Sequence, residues 1–137
     1  MRNALLTASL AAALSCGAPA LAQERIRISS AWGEVTAELR DNAATRRLLE
    51  RLPLTVQMRD HLRQEKTGDL PMPLPEVARQ RDFAAGTLGL WTADHFVIYY
   101  RSGRVPGPGI IDLGRVTGDV GLFDRPGPVE IRIERLP

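Results

Sequence analysis

The stretch that decides the fold is "GTLGLWTADHFVIYY", residues 86–100. Two apolar segments, "GTLGLWT" and "HFVIYY", flank Ala93 and Asp94, which favour a tight turn. Short apolar runs that contain aromatic and β-branched residues and end at turn residues are typical of strands. The second run is almost wholly apolar, which predicts a strand suited to deep burial. This stretch therefore predicts two neighbouring strands in the interior of a β-protein.

Outward from this stretch, apolar and polar residues alternate in several further segments. The alternation predicts strands with one buried face at residues 25–29, 35–39, 54–58 and 129–134, and another short strand follows at 110–113. The connection "SAWGE" (30–34) predicts a hairpin between the first two strands. Trp32 at its tip either folds back over the end of the barrel or contacts a ligand. The first interpretation is favoured because an indole mostly serves as buried area.

One segment breaks the period of two. "DNAATRRLLERLP" (41–53) has a cap at Asp41 or Asn42, apolar positions four residues apart and a stop at Pro53, which predicts a helix of about ten residues. Seven or eight short strands with one helix and no βαβ alternation indicate a mainly β protein, a closed or nearly closed barrel.

Two stretches are less regular. In "RDHLRQEKTGDLPMPLPE" (59–76), three prolines argue against a central strand and favour an edge strand or an extended loop. "YYRSGRVPGPGIIDLG" (99–114) lacks the Lys and hydroxyl of a phosphate-binding loop and the glycine spacing of a dinucleotide fingerprint. We interpret it as the long connection between two barrel strands.

Residues 1–22 have the order of a secretory signal peptide: a positive start, an apolar run and small residues at Ala20 and Ala22. Cleavage after Ala22 would leave one folded domain, residues 23–137, in the periplasm or outside the cell. An alternative is a lipoprotein anchored through Cys16, although "ALSC" departs from the usual residue order before a lipid-bearing cysteine. No segment approaches the roughly 20 apolar residues of a membrane span.

The composition argues against several kinds of site. A net charge of +2 makes bulk nucleic-acid binding a poor hypothesis. No serine lies in a nucleophile elbow, and neither His61 nor His95 has the spacing of a metal ligand. We therefore expect no metal, no cofactor and no thiol chemistry in the folded part.

Two segments, "LPLTVQMRDHLRQEKTGDLPMPLP" (52–75) and "GTLGLWTADHFVIYYRSGRVPGPGIIDLGRV" (86–116), resemble the bacterial cyclophilin-like domain family. The resemblance implies a closed eight-stranded cyclophilin-like β-barrel with one or two short helices. It implies little chemistry, because the "FHR" and "QGGD" motifs of catalytic cyclophilins do not occur in this sequence.

The resemblance and the missing motifs favour an exported, non-catalytic module that binds a peptide or small molecule in a groove. Five polar or amphipathic residues are candidates for that groove: Glu65, Lys66, Tyr100, Arg101 and Arg115. Ordinary strand-end charges and ion pairs would also explain them. The alternative is a peptidyl-prolyl isomerase, which needs little more than an apolar pocket and one hydrogen-bond donor to the amide. A weaker alternative is an accessory partner of a flavodoxin-like redox protein, beside which members of this family can occur.

Overall fold

The computed structural model describes residues 8–9, 11–12 and 23–137. Most of the predicted signal peptide, with Cys16 and the cleavage site after Ala22, therefore lies outside the described residues. The strands are β1 (Arg25–Ser30), β2 (Gly33–Leu39), β3 (Leu54–His61), β4 (Glu65–Asp69), β5 (Asp82–Phe83), β6 (Thr87–Trp91), β7 (His95–Tyr99), β8 (Gly103–Arg104), β9 (Ile111–Val116) and β10 (Val129–Arg135). The α-helix α1 spans Ala43–Glu50, and a short 3₁₀ turn spans Val120–Phe123.

Eight of these strands close into an antiparallel barrel in the order β1-β10-β3-β4-β7-β6-β9-β2. Closure is completed by the β1–β2 hairpin, whose register places Ile28 opposite Val35. The prediction of a mainly β fold with a closed eight-stranded barrel is therefore confirmed. The other two strands, β5 and β8, form a small separate sheet.

One hydrophobic cluster fills the interior of the barrel, and a second one covers the outer face of the barrel wall at β7. The alternating apolar residues of the strands fill the interior, where Ile26, Val56 and Ile131 are almost fully buried. A second cluster, which includes Val97 and Tyr99 of β7, packs against Phe83 of the small sheet, and the Tyr99 and Phe83 rings stack at 3.8 Å. Strand β7 is thus buried on both faces, as its apolar run predicts.

The strand β4 corrects one prediction. Prolines 71, 73 and 75 argued against a central strand in this region, but they follow β4, which ends at Asp69. β4 is a central strand that pairs with β3 on one side and β7 on the other. The predicted connection at 99–114 likewise contains a strand, β8, which pairs with β5.

The helix and the tip of the first hairpin close the two ends of the barrel. α1 is shorter than predicted, and its cap is Asn42, whose side chain accepts from the Thr45 amide at 2.9 Å. Trp32 is half-buried against the barrel core, which fits the interpretation that it folds back over the barrel end. No helix of the described part is long and apolar enough to cross a membrane.

Candidate functional site

The two faces of β4 carry different polar groups. Glu65, Thr67 and Asp69 point to the outside of the barrel, while Lys66 and Gly68 point inwards, since side chains alternate along a strand. All of β4 except Asp69 is buried. A central strand with buried polar residues on both of its faces is unusual, and each face of β4 belongs to a different polar arrangement.

On the outer face, β3, β4, β6 and β7 surround a cavity of about 200 Å³, which we call the outer cavity. The registers Arg59 with Thr67 and His61 with Glu65 bring β3 side chains beside those of β4. The residues that line the cavity are Arg59, His61, Glu65, Thr67, Trp91 and His95.

The carboxylate of Glu65 is the most deeply buried acid of this site. Glu65 is 3% exposed, and its Oε1 lies 2.5 Å from Nδ1 of His61. A carboxylate is an acceptor, so Nδ1 carries the proton and donates it. The other oxygen, Oε2, is buried without a hydrogen-bond partner. An unpartnered buried carboxylate oxygen carries a desolvation cost, and a functional role is one explanation for such a group.

A second imidazole is held in the same cavity. Nδ1 of His95 lies 2.7 Å from Oδ1 of Asp69, and Nε2 of His95 is hydrogen-bonded to the Thr67 hydroxyl. Both nitrogens of His95 are therefore engaged, whereas Nε2 of His61 has no hydrogen-bond partner among the described residues. The two histidines thus differ in what they can offer a ligand.

Arg59 and Trp91 complete the cavity. The guanidinium of Arg59 takes part in none of the ion pairs of the described residues, and its strand position faces Thr67. Trp91 is half-buried at the end of β6 and provides an aromatic surface. The cavity therefore combines an open cation, an open imidazole nitrogen and an apolar wall.

Tyr99 lies behind this site. Burial, and then the negative charge of Glu65, raises the pKa of the Tyr99 hydroxyl, and a contact with Trp91 opposes the rise. The hydroxyl has no hydrogen bond of good geometry, although a weaker hydrogen-bonding contact with the Glu65 carboxylate adds to the rise in its pKa. Two buried polar groups behind one cavity, Glu65 Oε2 and the Tyr99 hydroxyl, are thus left without a hydrogen bond of good geometry.

The inner face of β4 leads to a different arrangement, which we call the inner network. Nζ of Lys66 is fully buried and donates to Asp60 Oδ1 at 3.0 Å and to the carbonyl oxygens of Gly127, at 3.1 Å, and Arg125. The Tyr100 hydroxyl donates to the same Asp60 oxygen at 2.6 Å. The amino group of Lys66 therefore already has three partners, so the inner network is a satisfied structural element.

The charges within the inner network shift two pKa values. Burial acts to raise the pKa of Asp60, but hydrogen bonds from Tyr100 and Lys66 and the Lys66 charge outweigh burial and lower it. Burial and the hydrogen bond to Asp60 raise the pKa of Tyr100. The Trp32 ring covers the network, with its centroid 5.1 Å from Lys66 Nζ and 4.9 Å from Cζ of Arg125.

The structure divides the five residues selected from the sequence. Lys66 and Tyr100 belong to the inner network, and Arg101 lies beside it in an exposed pair with Asp124 at 3.2 Å. Glu65 points the other way, into the wall of the outer cavity. Arg115 is exposed on β9, away from both.

The remaining residues of the outer cavity were not selected from the sequence. They are Arg59, His61, Thr67, Trp91 and His95. Neither histidine has a metal-ligand spacing, so the sequence offered no reason to select them as site residues. The one available signal was the four-residue separation of His61 and Glu65, which a tight hairpin places side by side. Among the described residues no group of His, Cys, Asp and Glu could hold a metal ion.

A second cavity, of about 650 Å³, lies at the barrel end beside α1. Leu39 and Leu49 contribute apolar surface, and ion pairs join its charged lining residues: Arg46 with Asp41 at 2.6 Å and Arg135 with Glu24 at 2.7 Å. No side chain of its lining is a buried polar group without a partner. The outer cavity is therefore the better candidate site.

Comparison with known proteins supports the fold assignment. The described barrel is similar to the solution structure of a hypothetical protein from Archaeoglobus fulgidus, with a TM-score of 0.68 and 13% identity over 83% of this chain and 95% of that one. At this identity the similarity concerns the fold alone. No curated protein matches the chain significantly. The model of the cyclophilin-like family matches residues 28–134, a range that includes every barrel strand in whole or in part. The chain therefore belongs to the cyclophilin-like family.

Proposed function

We propose that this protein is an exported cyclophilin-like module that binds a small molecule or a peptide in the outer cavity, without catalysing a reaction. Export depends on the signal peptide predicted at residues 1–22. Binding depends on the outer cavity, and the absence of catalysis depends on the missing cyclophilin motifs.

One observation carries the choice of site. Glu65 is 3% exposed, one of its carboxylate oxygens has no partner, and it forms part of a cavity wall. A buried polar group without a partner lowers the free energy of unfolding by about 1–3 kcal/mol, so the stability of the fold does not explain an acid at this position. A buried polar group without a partner calls for an explanation, and contact with a ligand is the one proposed for Glu65.

The chemistry of the lining also favours a ligand. Arg59 offers a planar fork of donors that no described residue occupies, and His61 offers one open nitrogen. Trp91 offers an aromatic surface against which an apolar group can pack. Most ligand sites combine a few placed polar groups with apolar walls in this way.

The experiment is a titration of the ¹⁵N-labelled protein with a library of neutral, acidic and basic fragments, followed by amide chemical shifts. We expect binding fragments to shift the resonances of Thr67, Trp91 and His95 while those of Arg115 and its neighbours stay in place. The choice of site would be refuted if every binding fragment shifted resonances of the second cavity or the inner network and none shifted resonances of the outer cavity.

A peptidyl-prolyl isomerase is the second candidate, and one observation favours it. The outer cavity places an open donor, Arg59, beside the apolar face of Trp91. Isomerisation has a barrier of about 18–20 kcal/mol that arises from amide resonance, so a single well-placed donor can lower it. A coupled assay on a Xaa-Pro peptide decides the question: we expect no acceleration at micromolar protein, and acceleration that Arg59→Gln removes would establish the isomerase instead. Partnership with a flavodoxin-like protein stays a prediction, which gene neighbourhood can test.

A further inference from the structure

The geometry points to a free α-amino acid as the ligand of the outer cavity, with its carboxylate on Arg59 and its ammonium on the pair of His61 and Glu65. This inference rests on the proposed function, since it names the class of molecule that the same cavity would hold.

The carboxylate position follows from Arg59. Arg59 is exposed and has no acidic partner among the described residues, although Glu65 and Asp69 lie two residues to either side of its cross-strand neighbour Thr67. Glu65 and Asp69 are held instead by the two histidines, at 2.5 Å and 2.7 Å. An unoccupied guanidinium fork matches a carboxylate in a bidentate geometry, which is among the stronger hydrogen-bonding arrangements in proteins.

The ammonium position follows from His61. Because its Nδ1 donates to the buried Glu65 carboxylate, the ring in its neutral form presents the lone pair of Nε2 to the cavity. The Glu65 charge behind the ring makes that nitrogen a better acceptor, as carboxylates do for other functional histidines. A cationic donor is therefore the group that suits this end of the cavity.

The separation and the charge of these two positions suit a zwitterion. Arg59 and His61 are same-face neighbours on β3, about 7 Å apart along the strand. A single α-carbon with its two charged groups and their hydrogen bonds can span that distance. The ionic side chains of the lining, Arg59 and Glu65, carry opposite charges, so a ligand with both charges is matched at both ends.

The size of the cavity points the same way. About 200 Å³ is smaller than the roughly 300–1,000 Å³ of sites for drug-sized ligands, so the ligand has the size of one amino acid. Trp91 lies in the same wall and provides apolar surface for an aliphatic side chain. We therefore choose leucine as the probe.

The test compares four probes by calorimetry and amide chemical shifts on the whole protein. Leucine carries both charges, N-acetyl-leucine only the negative one, leucine amide only the positive one, and N-acetyl-leucine amide neither. We expect leucine to bind at the outer cavity and each blocked form to bind at least about tenfold more weakly, because each lacks one charge-assisted hydrogen bond.

Two variants check the assignment of the ends. Arg59→Gln should weaken the binding of leucine at least about tenfold. His61→Gln should weaken the binding of leucine but leave the binding of N-acetyl-leucine unchanged, since that probe already lacks the ammonium. Arg115→Gln, a substitution of an exposed arginine away from the cavity, should change neither.

Each other outcome overturns the inference in a distinct way. Equal binding of leucine and N-acetyl-leucine would indicate a site for simple anions, and stronger binding of N-acetyl-leucine amide would indicate a site for peptide. If fragments bind in the outer cavity but none of the four probes does, the inference fails while the proposed function stands. If nothing binds there, both fail.

Discussion

At the scale of single residues, the tyrosines of this chain are the clearest probes of the site. The sequence contains two, Tyr99 behind the outer cavity and Tyr100 in the inner network. Adjacent positions on a strand face opposite sides, so these two side chains report on the outside and the inside of one barrel wall. Their pKa values are both raised, by burial first and by a nearby carboxylate second.

We predict that neither tyrosine ionises while the protein stays folded as the pH passes 10.0, the ordinary value for the phenol. A pKa raised in the folded state stabilises the fold below the unfolded-state value, and that stability is lost as the pH rises toward the folded-state value. Phenolate absorbance and circular dichroism, recorded together during an alkaline titration, should therefore change in one transition. Phenolate absorbance that appears near the ordinary pKa with the circular dichroism unchanged would show that the two hydroxyls are accessible, contrary to the structure.

Lys66→Met should be strongly destabilising. The substitution removes the buried amino group that donates to Asp60 and to two backbone carbonyls, and it leaves the partly buried Asp60 carboxylate without its counter-charge. Breaking a buried ion pair in this way costs about 3–5 kcal/mol of unfolding free energy, which urea denaturation measures. The control is Arg132→Met, which breaks an exposed pair with Glu134 and should cost less than about 1 kcal/mol. Similar losses for both variants would mean that the inner network does not support the barrel.

At the scale of the elements, β4 depends on a residue that has no side chain. A Cβ on Gly68 would lie 2.2 Å from the Gln57 carbonyl oxygen and 2.8 Å from the sulfur of Met58. The backbone of β3 therefore approaches β4 so closely at position 68 that only a glycine fits there.

We predict that Gly68→Ala lowers the unfolding free energy by at least about 2 kcal/mol, because an overpacked site must push two strands apart. Gly118→Ala is the matched control, since its Cβ would meet Val35 only at an ordinary 3.8 Å. Thermal unfolding of the two variants should separate them clearly. A Gly68→Ala protein as stable as the control would contradict the close approach of β3 and β4.

The elements that the sequence predicted share one property, which β4 lacks. β1, β2, β3, β6, β7, β9 and β10 all carry apolar residues on their inward faces, so alternation or a short apolar run predicted each of them. β4 reads "EKTGD", with Lys66 and Gly68 inwards and no apolar residue on either face. Hydrophobic periodicity cannot detect a strand whose buried residues are polar. The barrel strand that was missed is for the same reason the one that contributes the buried Glu65 and Thr67 to the candidate site.

At the scale of the whole molecule, the outer cavity exists because of the order in which the strands close the barrel. β4 lies between β3 and β7, which brings His95 to Thr67, 28 residues away along the chain. The family resemblance predicted a closed barrel of eight strands but not the register of these pairs. Glu65 was selected from the sequence for its charge, whereas Arg59 and the histidines become site residues only through that register.

Closure of the barrel also separates the polar residues of the outer cavity from those of the inner network, which the sequence alone could not tell apart. Arg59 faces the outer cavity from β3, while Arg101 lies at the barrel end beside Asp124 and the Tyr100 ring, 6.0 Å from its centroid. Both are exposed arginines near aromatic residues, so either can be replaced without opening the core. They therefore form a matched pair for deciding which side of the barrel wall binds a ligand.

The central claim, that the ligand site is the outer cavity, is tested most directly by one comparison of dissociation constants. The fragment that binds the protein most tightly is titrated into Arg59→Gln and into Arg101→Gln. We predict that Arg59→Gln weakens binding at least about tenfold, the loss expected for one hydrogen bond to a charged group, and that Arg101→Gln leaves it unchanged. Weakened binding in Arg101→Gln together with unchanged binding in Arg59→Gln would contradict the account and place the site at the barrel end.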